Sequence, residues 1–242
     1  MKNILEKLRM YGVKKFLSFG WHEFISWFRK VFMASYSQKD EDLVIDRILG
    51  YKKNGFYVDI GANDPTRFSN TKRFYLKGWR GINIEPDFNN YQKFVKERKD
   101  DINLNIGIGQ ADAVLKFYRF VPDTLSTFSQ KEADSYIKQG YKLENVIDVK
   151  VNRLADVLSE YCIDREIDFI NIDTEGFDME VLQGNDWRKF SPALVCIESI
   201  VHNIRESDKS EKGDNHESFL ISVGYKKVYD NGLNSIYQNY ER

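Results

Sequence analysis

The stretch Phe56-Tyr57-Val58-Asp59-Ile60-Gly61-Ala62-Asn63 is a short apolar run that ends abruptly in a glycine. A run of this kind, bounded by a turn residue, reads as a parallel strand buried on both faces. Gly61 then lets the chain turn sharply and lets a ligand approach the backbone. One strand further on, Gly81-Ile82-Asn83-Ile84-Glu85 repeats the pattern and is stopped by Pro86. In an open parallel sheet, ligands bind beyond the carboxyl ends of the strands, where the strand order reverses. The informative positions are therefore the strand ends: Asp59 to Asn63, Glu85, Asn105 to Gly107, Asp173 to Gly176 and Glu198 to His202.

Working outward, residues 69–77 read as a helix closed by Gly78, and residues 87–97 as a second helix. A third strand is expected over 102–106. The rhythm then changes. Residues 113–120 and 146–151 look extended around a polar stretch at 124–139, an insertion holding a hairpin and a lid-like loop or helix. Strand and helix alternate again with a helix over 154–161, a fourth strand over 167–172, a helix containing Val181-Leu182 and a fifth strand over 193–198. Near the end, 225–229 and 233–237 flank Asp230-Asn231-Gly232, a strong hairpin signal. The expectation is an α/β fold, a mostly parallel sheet with helices on both faces and an antiparallel edge. One domain is expected over 37–242, with its insertion around 111–150.

Residues 1–36 differ in composition. Lys2, Lys7, Arg9, Lys14, Lys15, Arg29 and Lys30 face only Glu6 and Glu23, and Ile4, Leu5, Leu8 and Tyr11 recur at helical spacing before Trp21, Phe24, Trp27, Phe28 and Phe32. An amphipathic helical arm is expected, packed either on the main domain or against an anionic membrane surface or a membrane-bound partner enzyme. The charges interrupt any secretory signal, and the apolar run is too short to span a bilayer. Two cysteines without metal-ligand spacing argue against a disulfide scaffold or zinc site and leave the cytoplasm as the expected compartment, with the inner membrane face as the peripheral alternative. A formal net charge of −1 disfavours a nucleic-acid coat.

A dinucleotide oxidoreductase is the nearest rival. Its fingerprint wants glycines two and five positions after Gly61, where the chain has Asn63 and Thr66. A ligand without a phosphate fits better. A carboxylate accepts hydrogen bonds only, which suits Glu85 to the two hydroxyls of a ribose. An adenosyl ligand carrying an amino acid follows.

Several blocks together resemble the FkbM family of methyltransferases: Ser37-Gln38 with Glu41-Asp42, Val58 to Asp64, Phe68-Ser69-Asn70-Thr71, Gly78 to Ile82 leading into Ile84-Glu85-Pro86, Ser126-Thr127, Asp168 to Gly176, and Val181 to Gly184. Pro65 departs from it, standing where the family often has glycine. The resemblance implies a class I methyltransferase fold with a seven-stranded, mostly parallel sheet ending in an antiparallel hairpin. It also implies S-adenosyl-L-methionine as cofactor and transfer to a hydroxyl oxygen, typically of a sugar in a glycan or a glycosylated metabolite. Taken with the strand ends, it sets Gln38, Asp59, Gly61, Ala62, Asn63, Glu85, Pro86, Asn105, Ser126 and Asp173 against the cofactor. Asp173, Glu175 or His202 would take the acceptor proton. Each has an alternative: Asp173 holds the cofactor's ammonium, Glu175 serves a helix dipole, and His202 is an exposed loop residue. Asp173, Glu175, Glu198 and His202 are also the candidates for a divalent metal. A non-catalytic interaction module on the same fold is the reading outside enzymes. Nucleic-acid methylation would want an Asn/Asp-Pro-Pro motif with an aromatic residue, and Asp173-Thr174-Glu175-Gly176 is not that motif.

Overall fold

The computed structural model describes residues 35–199 and 215–240. The expected N-terminal arm, apart from Ser35 and Tyr36, and His202 lie outside the described residues. The chain order is α1 (Glu41–Ile48), β1 (Phe56–Ile60), α2 (Lys72–Leu76), β2 (Arg80–Ile84), α3 (Phe88–Glu97), β3 (Ile102–Leu104), β4 (Gly107–Gly109) and β5 (Ala113–Val121). A 3-10 turn (Asp123–Leu125), α4 (Gln130–Lys138), β6 (Lys142–Arg153), α5 (Leu154–Tyr161), β7 (Phe169–Ile172) and α6 (Asp178–Gln183) follow. The last elements are β8 (Leu194–Glu198), α7 (Asn215–Ser222), β9 (Tyr225–Asp230) and β10 (Asn234–Asn239).

Seven strands form one sheet in the order β3-β2-β1-β7-β8-β10-β9. All neighbours are parallel except β10, which runs antiparallel to both β8 and β9. The order reverses between β1 and β7, so a ligand crevice is expected above their carboxyl ends. β1 is buried along its whole length. Alternation divides its side chains between two cores. Phe56, Val58 and Ile60 join Leu154, Val157 and Leu158 of α5, Val181 and Leu182 of α6, and Leu220 of α7. Tyr57 joins Ile45 of α1, Phe74 of α2, Trp79 and Phe169.

One face also carries a polar row that the sequence reading missed. Register aligns Asn103, Asn83, Asp59, Asn171 and Cys196 across five neighbouring strands. Asn83 Nδ2 donates to Asn103 Oδ1 at 2.9 Å, and Asn171 Nδ2 donates to Asp59 Oδ1 at 2.9 Å. Burying an amide group costs stability unless it is so paired.

Strand and helix ends shift from expectation in places. The third strand stops at Leu104, and Gly107–Gly109 pairs instead with β6 in a second, three-stranded sheet, β4-β6-β5. The expected hairpin of the insertion is the antiparallel pair β5–β6, with the 3-10 turn and α4 in its connection. The helix expected from Ser69 begins at Lys72, because Ser69, Asn70 and Thr71 are spent on hydrogen bonds to the sheet and to Arg98. That arginine is wholly buried. It donates to Pro65 O through Nε (3.2 Å) and Nη2 (2.7 Å), to Ser69 Oγ at 3.1 Å and to the Tyr57 hydroxyl at 2.8 Å. Asp101 lies 3.7 Å from its Nη1. Pro65 thus helps hold the first loop through its carbonyl.

Candidate functional site

The carboxyl ends of β1, β2 and β7, the loop 61–71 and the second sheet enclose a cleft of about 1040 Å³. Gln38, Asp59, Gly61, Ala62, Asn63, Glu85, Pro86, Ser126 and Asp173 all line it, as does Glu175. Asn105, expected among them, does not. Its Nδ2 donates to the carbonyls of Glu85 (2.8 Å) and Pro86 (3.0 Å), so it braces the turn that presents Glu85.

Gly61 makes the sharp turn expected of it, but what approaches it is backbone rather than a ligand. Its φ is +76°, and a Cβ there would lie 1.8 Å from the carbonyl oxygen of Asp173. The glycine lets the ends of β1 and β7 close on each other. The same turn uses up its N–H groups. Gly61 N and Ala62 N both donate to Ile84 O, and Asn63 N donates to Glu85 Oε2 at 2.7 Å. The next helix starts only at Lys72. The turn at Gly61 to Asn63 therefore offers neither its amides nor a helix N-terminus to a pyrophosphate, which disfavours the dinucleotide reading.

Glu85 is 4% exposed. Oε1 accepts from Asp87 N at 2.7 Å and Oε2 from Asn63 N. Each oxygen keeps a lone pair for a further donor, such as a ribose hydroxyl. Burial pushes its pKa up to about 8, against those two amides and with the charges of Asp87 and Asp123 adding to the rise. Beside it stand Ile106, Ile108, Phe117 and Phe128, an apolar slot that sequence reasoning did not find. Gly107 makes room for it, since a Cβ would meet the Phe128 ring at 2.5 Å.

At the other end, burial and the charges of Asp178, Asp59 and Glu41 raise Asp173 to about 7. Its carboxylate receives no hydrogen bond from the described residues and lines the cleft. Glu175 is raised further, by burial and then by Asp173. Tyr136 of α4 donates its hydroxyl to Glu175 Oε2 at 2.8 Å, and Thr127 Oγ1 donates to Glu175 O at 2.8 Å. Glu175 has φ +52° and precedes α6, which begins at Asp178. It is therefore not the first-turn helix carboxylate that the sequence allowed. Glu198 does not line the cleft, but Glu175 and Asp173 help burial to raise it.

A profile of the methyltransferase FkbM domain matches residues 59–227. The chain belongs to the FkbM methyltransferase family. The family implies S-adenosyl-L-methionine as the usual methyl donor, and the residues fit it: an apolar slot, a diol acceptor in Glu85 and an acidic far end. No curated protein matches the chain. Among the described residues, no group of three or more His, Cys, Asp or Glu is placed to hold a metal ion. Nor is any helix among them long and apolar enough to cross a membrane.

Several lining residues were not assigned a role from sequence. Arg67 Nη2 donates to Asp123 Oδ1 at 3.2 Å and Asn90 Nδ2 to Asp123 Oδ2 at 3.2 Å, joining the first loop, α3 and the 3-10 turn across the cleft. Gln38 and Asn234 close the far side. Their neighbourhood is fixed by Glu41, whose Oε1 accepts from Asn231 Nδ2 (2.8 Å) and Asn234 Nδ2 (2.9 Å).

Proposed function

We propose that the protein is an S-adenosyl-L-methionine-dependent O-methyltransferase acting on a hydroxyl of a sugar, in a glycan or a glycosylated metabolite. The observation that carries this is the charge of the cleft. Among the described residues that line it, the carboxyl groups of Asp59, Glu85, Asp87, Asp123, Asp173 and Glu175 stand against one cation, Arg67, which is already paired with Asp123. Glu85 and Asp173 are partly protonated in the free protein, and a cationic ligand draws out their charge. A lining of that sign favours a cationic ligand and repels a phosphate-bearing one.

When bound, the cofactor supplies an electrophilic methyl carbon on a sulfonium. The chain's own residues do the rest. Glu85 holds the ribose hydroxyls, and the slot of Phe117, Phe128, Ile106 and Ile108 encloses the base. Asp173, its pKa brought near neutrality, would take the proton of the acceptor hydroxyl as its oxygen accepts the methyl group that the cofactor would supply, leaving the thioether. Glu175, held by Tyr136 and Thr127, accepts a hydrogen bond from a neighbouring hydroxyl and fixes the acceptor. Carboxylates with free lone pairs suit a polyhydroxyl acceptor.

The test is radiolabelled methyl transfer to extracted glycans. Asp173→Asn and Glu175→Gln are expected to lose transfer while binding of S-adenosylhomocysteine by calorimetry survives. Full turnover in both variants would remove the proton-acceptor assignment, and a wild type that binds neither cofactor nor product would overturn the reading altogether.

A further inference from the structure

Among the described residues, Asn70 is the cleft-lining residue that keeps a buried side-chain oxygen with no hydrogen-bond partner. Only 6% of it is exposed. The direction of that oxygen follows from a chain of donors. Asp59 accepts the Thr71 hydroxyl on Oδ2 at 2.6 Å and Asn171 Nδ2 on Oδ1 at 2.9 Å. With Asp59 accepting on both oxygens, the amide of Asn171 turns its nitrogen to Asp59 and its oxygen away. Asn171 Oδ1 in turn accepts Asn70 Nδ2 at 2.8 Å. Asn70 Oδ1 is left facing elsewhere, as an acceptor waiting for a donor. A buried acceptor without a partner costs stability, which a ligand donor would restore.

The charge around it selects among donors. Burial first, and then the charges of Glu41, Asp173 and Asp59, raise the thiol of Cys196, the Asn70 neighbour 3.9 Å from Nδ2. A cationic N–H donor is better placed in that field than a neutral hydroxyl.

We propose that Asn70 Oδ1 accepts a hydrogen bond from the α-ammonium of the bound cofactor, making Asn70 the residue that recognises its amino-acid end. The inference rests on the reading of the cleft as an S-adenosyl-L-methionine site. Asp59 and Asn171 are then positioning residues, which hold the Asn70 amide with its oxygen toward the ligand. The role of Asn70 is distinct from that of Glu85, which meets the ribose.

Calorimetry with two probes tests it: S-adenosylhomocysteine, and its deaminated analogue with hydrogen in place of the ammonium. Wild type is expected to prefer the first. In Asn70→Ala, affinity for S-adenosylhomocysteine is expected to fall about 10- to 100-fold, the span of a hydrogen bond to a charged group, while affinity for the deaminated analogue stays the same. Asn171→Leu, which removes the donor chain, is expected to erode the same preference. Thermal denaturation of both variants checks that they fold. Equal losses for the two probes would show a merely structural role and overturn the proposal. Unchanged binding of both probes with a raised KM for acceptor would assign Asn70 Oδ1 to the acceptor hydroxyl and also overturn it. If wild type binds neither probe, the cofactor reading itself has failed, a different outcome from a wild type that binds both alike.

Discussion

Asp173→Asn is expected to make the ligand-free protein more stable while removing its activity. Burial and the charges of Asp178, Asp59 and Glu41 move the Asp173 pKa from 3.8 to about 7. A carboxyl whose pKa is higher in the folded chain than in the unfolded one contributes stability that is complete below pH 3.8 and lost as pH rises through about 7. Above that point the folded state carries a charge it holds badly, at a cost of at most about 4 kcal/mol. Asparagine keeps the shape without the charge. The variant should therefore gain up to about 4 kcal/mol at pH 8, dwindling as pH falls toward 4. For a chain of this size each kcal/mol moves Tm by roughly 2–4 °C. Thermal and urea denaturation of ligand-free wild type and variant from pH 5 to pH 8.5 would measure it. A variant no more stable than wild type at pH 8, or an advantage that does not shrink on acidification, would refute the electrostatic argument.

Three further outcomes follow from the same geometry. At pH 7, Glu85 (about 8) and Asp173 (about 7) both hold protons to a substantial degree in the free protein. A cationic ligand lowers both, so cofactor binding should release protons, seen as a dependence of the calorimetric enthalpy on buffer ionisation enthalpy; no such dependence would count against those protonation states. Arg98→Met should cost about 3–5 kcal/mol in chemical denaturation, since it strands buried Asp101 and the Pro65 carbonyl; a loss under 1 kcal/mol would show that the buried cation does not brace the first loop. Tyr136→Phe keeps the edge contact with Phe120 (5.6 Å) but removes the hydroxyl from Glu175. Turnover should drop about 10-fold or more with S-adenosylhomocysteine affinity retained, and unchanged turnover would take Glu175 out of the acceptor site.

The strand ends were legible because glycine and a terminal carboxylate mark them locally. Asp59 to Asn63 and Ile84 to Pro86 line the cleft, and β1 and α5 run between their expected bounds. What escaped depends on register between distant strands. Asn83, Asp59 and Asn171 each look like a single polar interruption of an apolar strand, and only pairing brings them into one row. The repeated Ile-Asn-Ile at 82–84 and 170–172 was the available signal. Phe117 and Phe128 carry no mark that separates a ligand slot from a core, since their place comes from the second sheet, whose short β4 follows directly on the run read as the third strand. Asn105 was assigned to the ligand because it stands at the carboxyl end of an expected strand, yet its amide is consumed by the Glu85 and Pro86 carbonyls. Gly61 was read rightly as a turn, but the atom that crowds it belongs to Asp173 and not to a ligand.

The central claim is that Glu85 and the acidic far end of the cleft hold an adenosyl sulfonium. Calorimetric titration of S-adenosyl-L-methionine into wild type and Glu85→Ala tests it most directly, with NADH as the control ligand. The account predicts a saturable one-site isotherm for wild type, a loss of about 10- to 100-fold in the variant and no heat from NADH. Wild type that binds NADH in preference, or a Glu85→Ala variant that binds the cofactor as tightly as wild type, would contradict it.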